Sequence, residues 1–123
     1  YHNVEEPLGF LIEDGRTKER LLWAVDTANL GVTADRLTYI AVECNYEESL
    51  LDRSDRIPSV LKERIRHSHF EVSDVIKWLH KQDLSGVLTI WLLHLSAGNS
   101  RAEQWQVRFE REFPGITVKI CPE

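Results

Sequence analysis

Val87-Leu88-Thr89-Ile90-Trp91-Leu92-Leu93-His94-Leu95-Ser96 decides the fold of this chain. A short, nearly continuous apolar run with β-branched and aromatic members reads as a strand buried on both faces, the kind found inside α/β sheets. It stops at a single imidazole. The same design recurs upstream: Leu21-Leu22-Trp23-Ala24-Val25 stops at Asp26, and Tyr39-Ile40-Ala41-Val42 stops at Glu43. Strands that each deliver one polar side chain to the rim of a sheet assemble a tertiary site from residues far apart in sequence.

Working outward, residues 8–12 form another apolar run that ends at Glu13-Asp14-Gly15, a turn signal, so a hairpin with residues 21–25 is expected. Residues 27–35 lack periodicity and read as a loop; residues 37–43 read as a buried strand. A short helix is expected at 47–51. Another is expected from Pro58 to about Arg66, with the proline in the first turn, where its missing N–H costs nothing. Val72, Val75, Ile76 and Leu79 have the i, i+3, i+4, i+7 spacing of an amphipathic helix. Ser100 with Glu103 spells a capping box, opening a helix that turns Ala102, Trp105 and Phe109 to the core. Pro114-Gly115 ends it, and residues 117–120 form a last strand. Strands first, then helix and strand in alternation, indicate an α/β layered fold.

The chain has 123 residues, enough for one domain, with 42% hydrophobic and 28% charged residues, so it can build a packed core. Its net charge of −5 gives no general pull on nucleic acid; a polynucleotide would have to be held by a local patch or by metal ions. No apolar run is long enough to cross a bilayer, and no secretory signal pattern opens the chain. Cys44 and Cys121 lie outside CxxC spacing. One disulfide between them is open, but free thiols of a reducing, cytoplasmic setting are the expectation.

Five residues could carry chemistry. Asp26 and His94 are of metal-ligand type: a carboxylate can bridge two divalent ions, and a histidine can give one ring nitrogen to a metal while the other is fixed by an acceptor. His2, three residues before Glu5, is a third candidate. Glu43 at its strand end could orient an imidazole, and His69, just before the amphipathic helix, could donate a proton to a leaving oxygen. Each has a plain alternative. Asp26 reads as a turn residue, His94 as a buried hydrogen-bonded histidine, and His2 as a solvated terminus. Glu43 reads as a surface residue, and His69 as a helix-entry residue whose role His67 could take. Together they are harder to obtain from packing alone.

On these motifs the chain resembles the C-terminal half of a metallo-β-lactamase superfamily hydrolase, in the branch related to tRNase Z and small exonuclease-like members. His2-Asn3 with Glu6-Pro7-Leu8-Gly9-Phe10 resembles an "HD…EPxGF" element, Asn3 departing from Asp. Val25-Asp26-Thr27 resembles "TDT", with Val25 in place of Thr. Glu43-Cys44-Asn45 resembles "ECN", Ser68-His69 resembles "SH", and Leu92-Leu93-His94-Leu95-Ser96 resembles "LxHLS". The resemblance implies a half αββα sandwich, a mixed sheet with helices on its outer face. It implies two divalent ions, zinc or manganese, with His2, Asp26 and His94 as ligands and Glu43 and His69 in proton transfer on a phosphodiester or nucleic-acid substrate. The family's HxHxDH motif has no counterpart here; His67-Ser68-His69 is not followed by Asp-His. The chain by itself is therefore expected to hold metal weakly and to be inactive. The missing N-terminal half, or a second copy, is expected to cover the inner face of the sheet, since a large bare apolar patch is rarely tolerated. The alternative is a non-catalytic half-domain that serves as a dimerising or interaction module.

Overall fold

The computed structural model describes residues 8–25, 34–96 and 101–121. The hairpin forms as its sequence predicts. β1 (Leu8–Glu13) and β2 (Arg20–Val25) pair antiparallel from Leu8↔Val25 to Glu13↔Arg20. Asp14 makes the turn: its Oδ1 accepts the backbone amides of Arg16 at 2.8 Å and Thr17 at 3.0 Å, an Asx geometry. An Arg20–Glu13 ion pair of 3.0 Å closes the open end of the turn.

The chain continues through β3 (Tyr39–Glu43), α1 (Glu48–Arg53), α2 (Ser59–Ser68), α3 (Val72–His80), β4 (Thr89–Leu93), α4 (Ala102–Glu112) and β5 (Thr117–Ile120). The strands form one five-stranded sheet in the order β1-β2-β3-β4-β5. β1 is antiparallel to β2; β2, β3, β4 and β5 run parallel. The fold is thus α/β with a mixed sheet. Parallel neighbours need crossovers: the wholly described one carries α1, α2 and α3 between β3 and β4, and α4 lies in the chain between β4 and β5.

One face of the sheet carries the core. Leu22 and Ala24, Ile40 and Val42, Ile90 and Leu92, and Val118 alternate along their strands onto it. There they meet Val72, Val75, Ile76 and Leu79 of α3 and Trp105 and Phe109 of α4. The register puts a different set on the other face. Phe10, Trp23, Ala41 and Trp91 stand side by side across four strands, as do Ile12, Leu21, Tyr39 and Thr89. Phe10 is 60% exposed, Ile12 55% and Trp23 37%. No described helix covers these rows.

Several local expectations shift. β3 and β4 each begin two residues later than the apolar runs suggest, at Tyr39 and Thr89, although Leu88 still donates to the Thr38 carbonyl and accepts from Thr117. Pro58 is the cap of α2 rather than a member of its first turn. α2 buries no residue; Arg66 secures it through ion pairs to Glu48 at 2.7 Å and Glu63 at 3.2 Å. The capping-box assignment does not stand as read. Ser100 lies outside the described residues, the cap position of α4 is Arg101, and its side chain makes no capping bond. Ala102 is exposed, not core-facing, because the buried stripe of α4 starts one turn later at Trp105.

Leu92 is fully buried between the β3 and β5 neighbours of β4. Leu92→Ala is expected to lower unfolding free energy by about 2–5 kcal/mol, whereas Val60→Ala on exposed α2 changes it by less than about 0.5 kcal/mol. Urea denaturation followed by tryptophan fluorescence measures both.

Candidate active site at the carboxyl edge of the sheet

Because β2, β3 and β4 are parallel, their C-terminal ends share one edge of the sheet, and β1, being antiparallel to β2, starts there. The register puts Ala24 beside Val42 and Glu43 opposite Leu93. Of the residues singled out in the sequence, Glu43 and His94 stand at this edge. Asp26 follows the last residue of β2, and His94 follows the last residue of β4. Asp26 and His2 themselves lie outside the described residues.

Glu43 is the last residue of β3 and is 0% exposed. A carboxylate that far from water is costly unless it is paired. Its partner is His69, whose Nδ1 lies 2.5 Å from Glu43 Oε2. The surface-residue reading of Glu43 is overturned by its burial. His69 caps the C-terminus of α2 in extended backbone, and its side chain keeps 33% of its surface exposed. Nδ1 is engaged by the carboxylate, and Nε2 is the second ring nitrogen. His67, the other histidine of that segment, is largely exposed and lies 4.0 Å from Glu63, so it does not share the pair.

The backbone explains why Glu43 and His69 meet. The segment after β3 is stitched on both sides. Asn45 donates its N–H to the Phe70 carbonyl at 2.9 Å, and Val72 donates to the Tyr46 carbonyl at 2.9 Å. On the other side Cys44 donates to the Leu93 carbonyl at 2.9 Å, and Ser96 donates to the Asn45 carbonyl at 2.8 Å. Residues 43–46 thus form a strap between the His69 segment and the His94 segment. His94 is exposed and has φ of +59°, a left-handed conformation that costs a non-glycine residue about 1–3 kcal/mol. The side-chain amide of Asn45 donates to the His94 carbonyl at 2.7 Å. The buried-histidine reading of His94 does not hold.

Glu71 was invisible to motif reading and proves central. Its Oε1 accepts the amides of Ser73 at 2.7 Å and Asp74 at 3.4 Å, capping α3; its Oε2 accepts the Glu48 amide at 3.0 Å, serving α1. One acidic residue just before an apolar-periodic run was the available signal. Glu47 Oε1 accepts the indole N–H of Trp105 at 2.9 Å. Burial works to raise the Glu47 pKa, but the Trp105 and Ser49 hydrogen bonds and the Arg101 and Arg108 charges outweigh it and hold the carboxyl below its usual range. A cleft of about 610 Å3 is lined by Glu47, Glu48, Asp52, Glu71 and Arg108, but not by Glu43, His69 or His94. Cys44 is buried, and burial, reinforced by the Glu71 and Glu43 charges, pushes its thiol well above the ordinary value, so it supplies no thiolate nucleophile. Cys44 and Cys121 are both free thiols.

Among the described residues no group of three or more His, Cys, Asp or Glu side chains could hold a metal ion. Of the expected ligand set, His94 is the described member. No described helix is long and apolar enough to cross a membrane. Comparison with known protein families, curated proteins and solved structures gives no match.

Trp105→Phe removes the indole donor and is expected to cost about 1 kcal/mol at pH 7. A carboxylate with a depressed folded-state pKa adds stability that is present above its unfolded pKa and is lost as pH falls through the folded one. The part of the Trp105→Phe deficit that comes from Glu47 should therefore shrink as pH is lowered from the usual carboxylate range into stronger acid. Denaturant titrations of both proteins across that interval measure it.

Proposed function

We propose that this chain is the C-terminal part of a metal-dependent phosphodiester hydrolase of the metallo-β-lactamase type, with Glu43 and His69 as its proton-transfer pair. The observation that carries the reading is the buried Glu43 bonded to a half-exposed His69 at the carboxyl edge of a parallel sheet. In open α/β sheets, ligands bind outside the carboxyl ends of the strands. A fully buried carboxylate fixes the imidazole by one nitrogen and leaves the other available for proton transfer.

In the complete site, His2, Asp26 and His94 would be protein ligands of two divalent ions, zinc or manganese. The number of donors falls short of a stable zinc site, so the remaining ligands come from outside these residues. When bound, the ions would lower the pKa of a water and neutralise phosphate charge. Asp26 and His94 would each supply a ligand to these ions. His69 would give a proton to the leaving oxygen, and Glu43 holds its ring in place through Nδ1. The bare aromatic face of the sheet supports the same reading: a complementary half, from the same polypeptide or a second copy, would layer against Phe10, Trp23 and Trp91 and complete the ligand set.

Asp26→Ala in the complete protein is expected to abolish metal-dependent hydrolysis of bis(p-nitrophenyl) phosphate while leaving the thermal transition in place. His69→Ala would remove a hydrogen-bonding partner of the buried Glu43 carboxylate and cost stability on the order of 1–3 kcal/mol. His69→Asn keeps an N–H donor for Glu43 and is the better probe. It is expected to retain metal and to slow esters with a poor leaving group by roughly 10²–10⁴-fold, with little effect on p-nitrophenolate release. Equal slowing of both esters would remove His69 from the acid role. Absence of metal and of turnover in the complete protein would favour the interaction module.

A further inference from the structure

His94 is strained where glycine would be free. In a strand that simply continued past Leu93, residues 93 and 95 would share a face of the sheet. They do not. Leu93 belongs to the face opposite Leu92, whereas Leu95 is buried in the same core as Leu92. The left-handed backbone at His94, with φ of +59°, makes that switch of face. Glycine is the residue that adopts this conformation without steric penalty, and a histidine stands there instead. Something must hold the turn in place of glycine's freedom.

The hydrogen bonds around the turn come from the strap after β3. Cys44 N–H takes the Leu93 carbonyl and the Asn45 carbonyl takes Ser96 N–H, one on each side of the turn. The His94 carbonyl lies between them and accepts from the Asn45 side-chain amide at 2.7 Å. The Asn45 backbone N–H is bound to Phe70, the residue after His69. One residue therefore grips the His94 turn with its side chain and the His69 segment with its backbone.

We propose that Asn45 is the positioning residue for His94. Its amide holds the exit of β4 in the left-handed turn and so fixes the imidazole of His94 at the same sheet edge as the Glu43–His69 pair. The role in ligand binding rests on the hydrolytic reading above; the conformational role does not. The choice of side chain is specific. Aspartate, of the same shape, has no donor for a carbonyl when ionised, and alanine has none at all.

The test is nuclear magnetic resonance on the complete protein. In the wild type, a scalar coupling across the hydrogen bond is expected between the Asn45 side-chain amide and the His94 carbonyl. Backbone shifts and couplings should report positive φ at His94. In Asn45→Ala, His94 is expected to move to negative φ, while Asn45→Ala combined with His94→Gly keeps a positive φ, because glycine needs no clamp. Asn45→Asp serves the same purpose should the alanine variant fail to fold. Zinc alone is then titrated while the His94 ring nitrogens are observed. The midpoint is expected to rise about 10–100-fold in Asn45→Ala, with the His69 ring signals before zinc addition unchanged. Positive φ retained at His94 in both Asn45 variants would overturn the proposal. If zinc leaves the His94 ring undisturbed in the wild type, the hydrolytic reading falls, while the backbone measurement still decides the clamp.

Discussion

A carboxylate at 0% exposure sets the terms for this structure. Glu43 sits at the end of a central strand, and the interior can keep it there only with a partner of matching hydrogen-bonding capacity. His69 is that partner, and bringing it in requires the chain between β3 and β4 to return to the sheet edge. α1 and α2 make the excursion, and Phe70 and Val72 are tied back to Asn45 and Tyr46. Glu71, in the middle of that return, caps α3 and serves the first turn of α1. The route of the crossover and the placement of the imidazole are therefore one structural solution. Hydrophobic burial by α3 supplies the free energy, and the polar ribbon supplies the register.

The two faces of the sheet are not equivalent, and the difference is physical. β3 and β4 are apolar on both faces, as strands buried in two layers are, but α3 and α4 cover one face. On the other, aromatic and aliphatic side chains stand in rows fixed by strand register, with Tyr39 and Trp91 tilted against each other at 5.5 Å between ring centres. Glu43 belongs to this second face by alternation. The pair it forms with His69 thus lies where the bare face meets the carboxyl edge. A layer added to that face would also wall the site and exclude water, which strengthens every charge interaction inside it.

Much of the fold was legible in the sequence because period and length carry it. The apolar runs ending at Val25, Glu43 and Leu93 are too short for helices and too uniform for one-sided strands, which marks a parallel sheet. The spacing of Val72, Val75, Ile76 and Leu79 admits one face only. What failed depended on local hydrogen bonding. Ser100 and Glu103 spell a capping box, yet α4 is capped at Arg101 without a side-chain bond, because a motif states what a backbone can do and not where the helix starts. Glu71 escaped notice, and Asn45 was noted only as part of the ECN resemblance, because the bonds that Glu71 makes to the Glu48 amide and Asn45 to the His94 carbonyl go to main-chain groups brought near by tertiary structure. Glu43 and His69 were legible as a pair through the family resemblance, 26 residues apart, and spacing alone would not have joined them.

The left-handed turn at His94 connects these threads. A chain that needed only to leave the sheet at this point would do so most cheaply with glycine, and a chain that needed only an imidazole could carry it on relaxed backbone. Here both demands fall on one residue, and a neighbouring side-chain amide offsets the conflict. Strain of this kind persists where surrounding structure over-determines it, and such places cluster at functional sites. The strap supplies that over-determination: Leu93, His94 and Ser96 are each bound to Cys44 or Asn45, and Asn45 is bound in turn to the segment that carries His69. Asn45 attaches to the two segments through different groups, its side-chain amide to His94 and its backbone N–H to Phe70. The sheet edge therefore behaves as one rigid frame rather than as separate loops, which is what a site assembled from the ends of several strands requires.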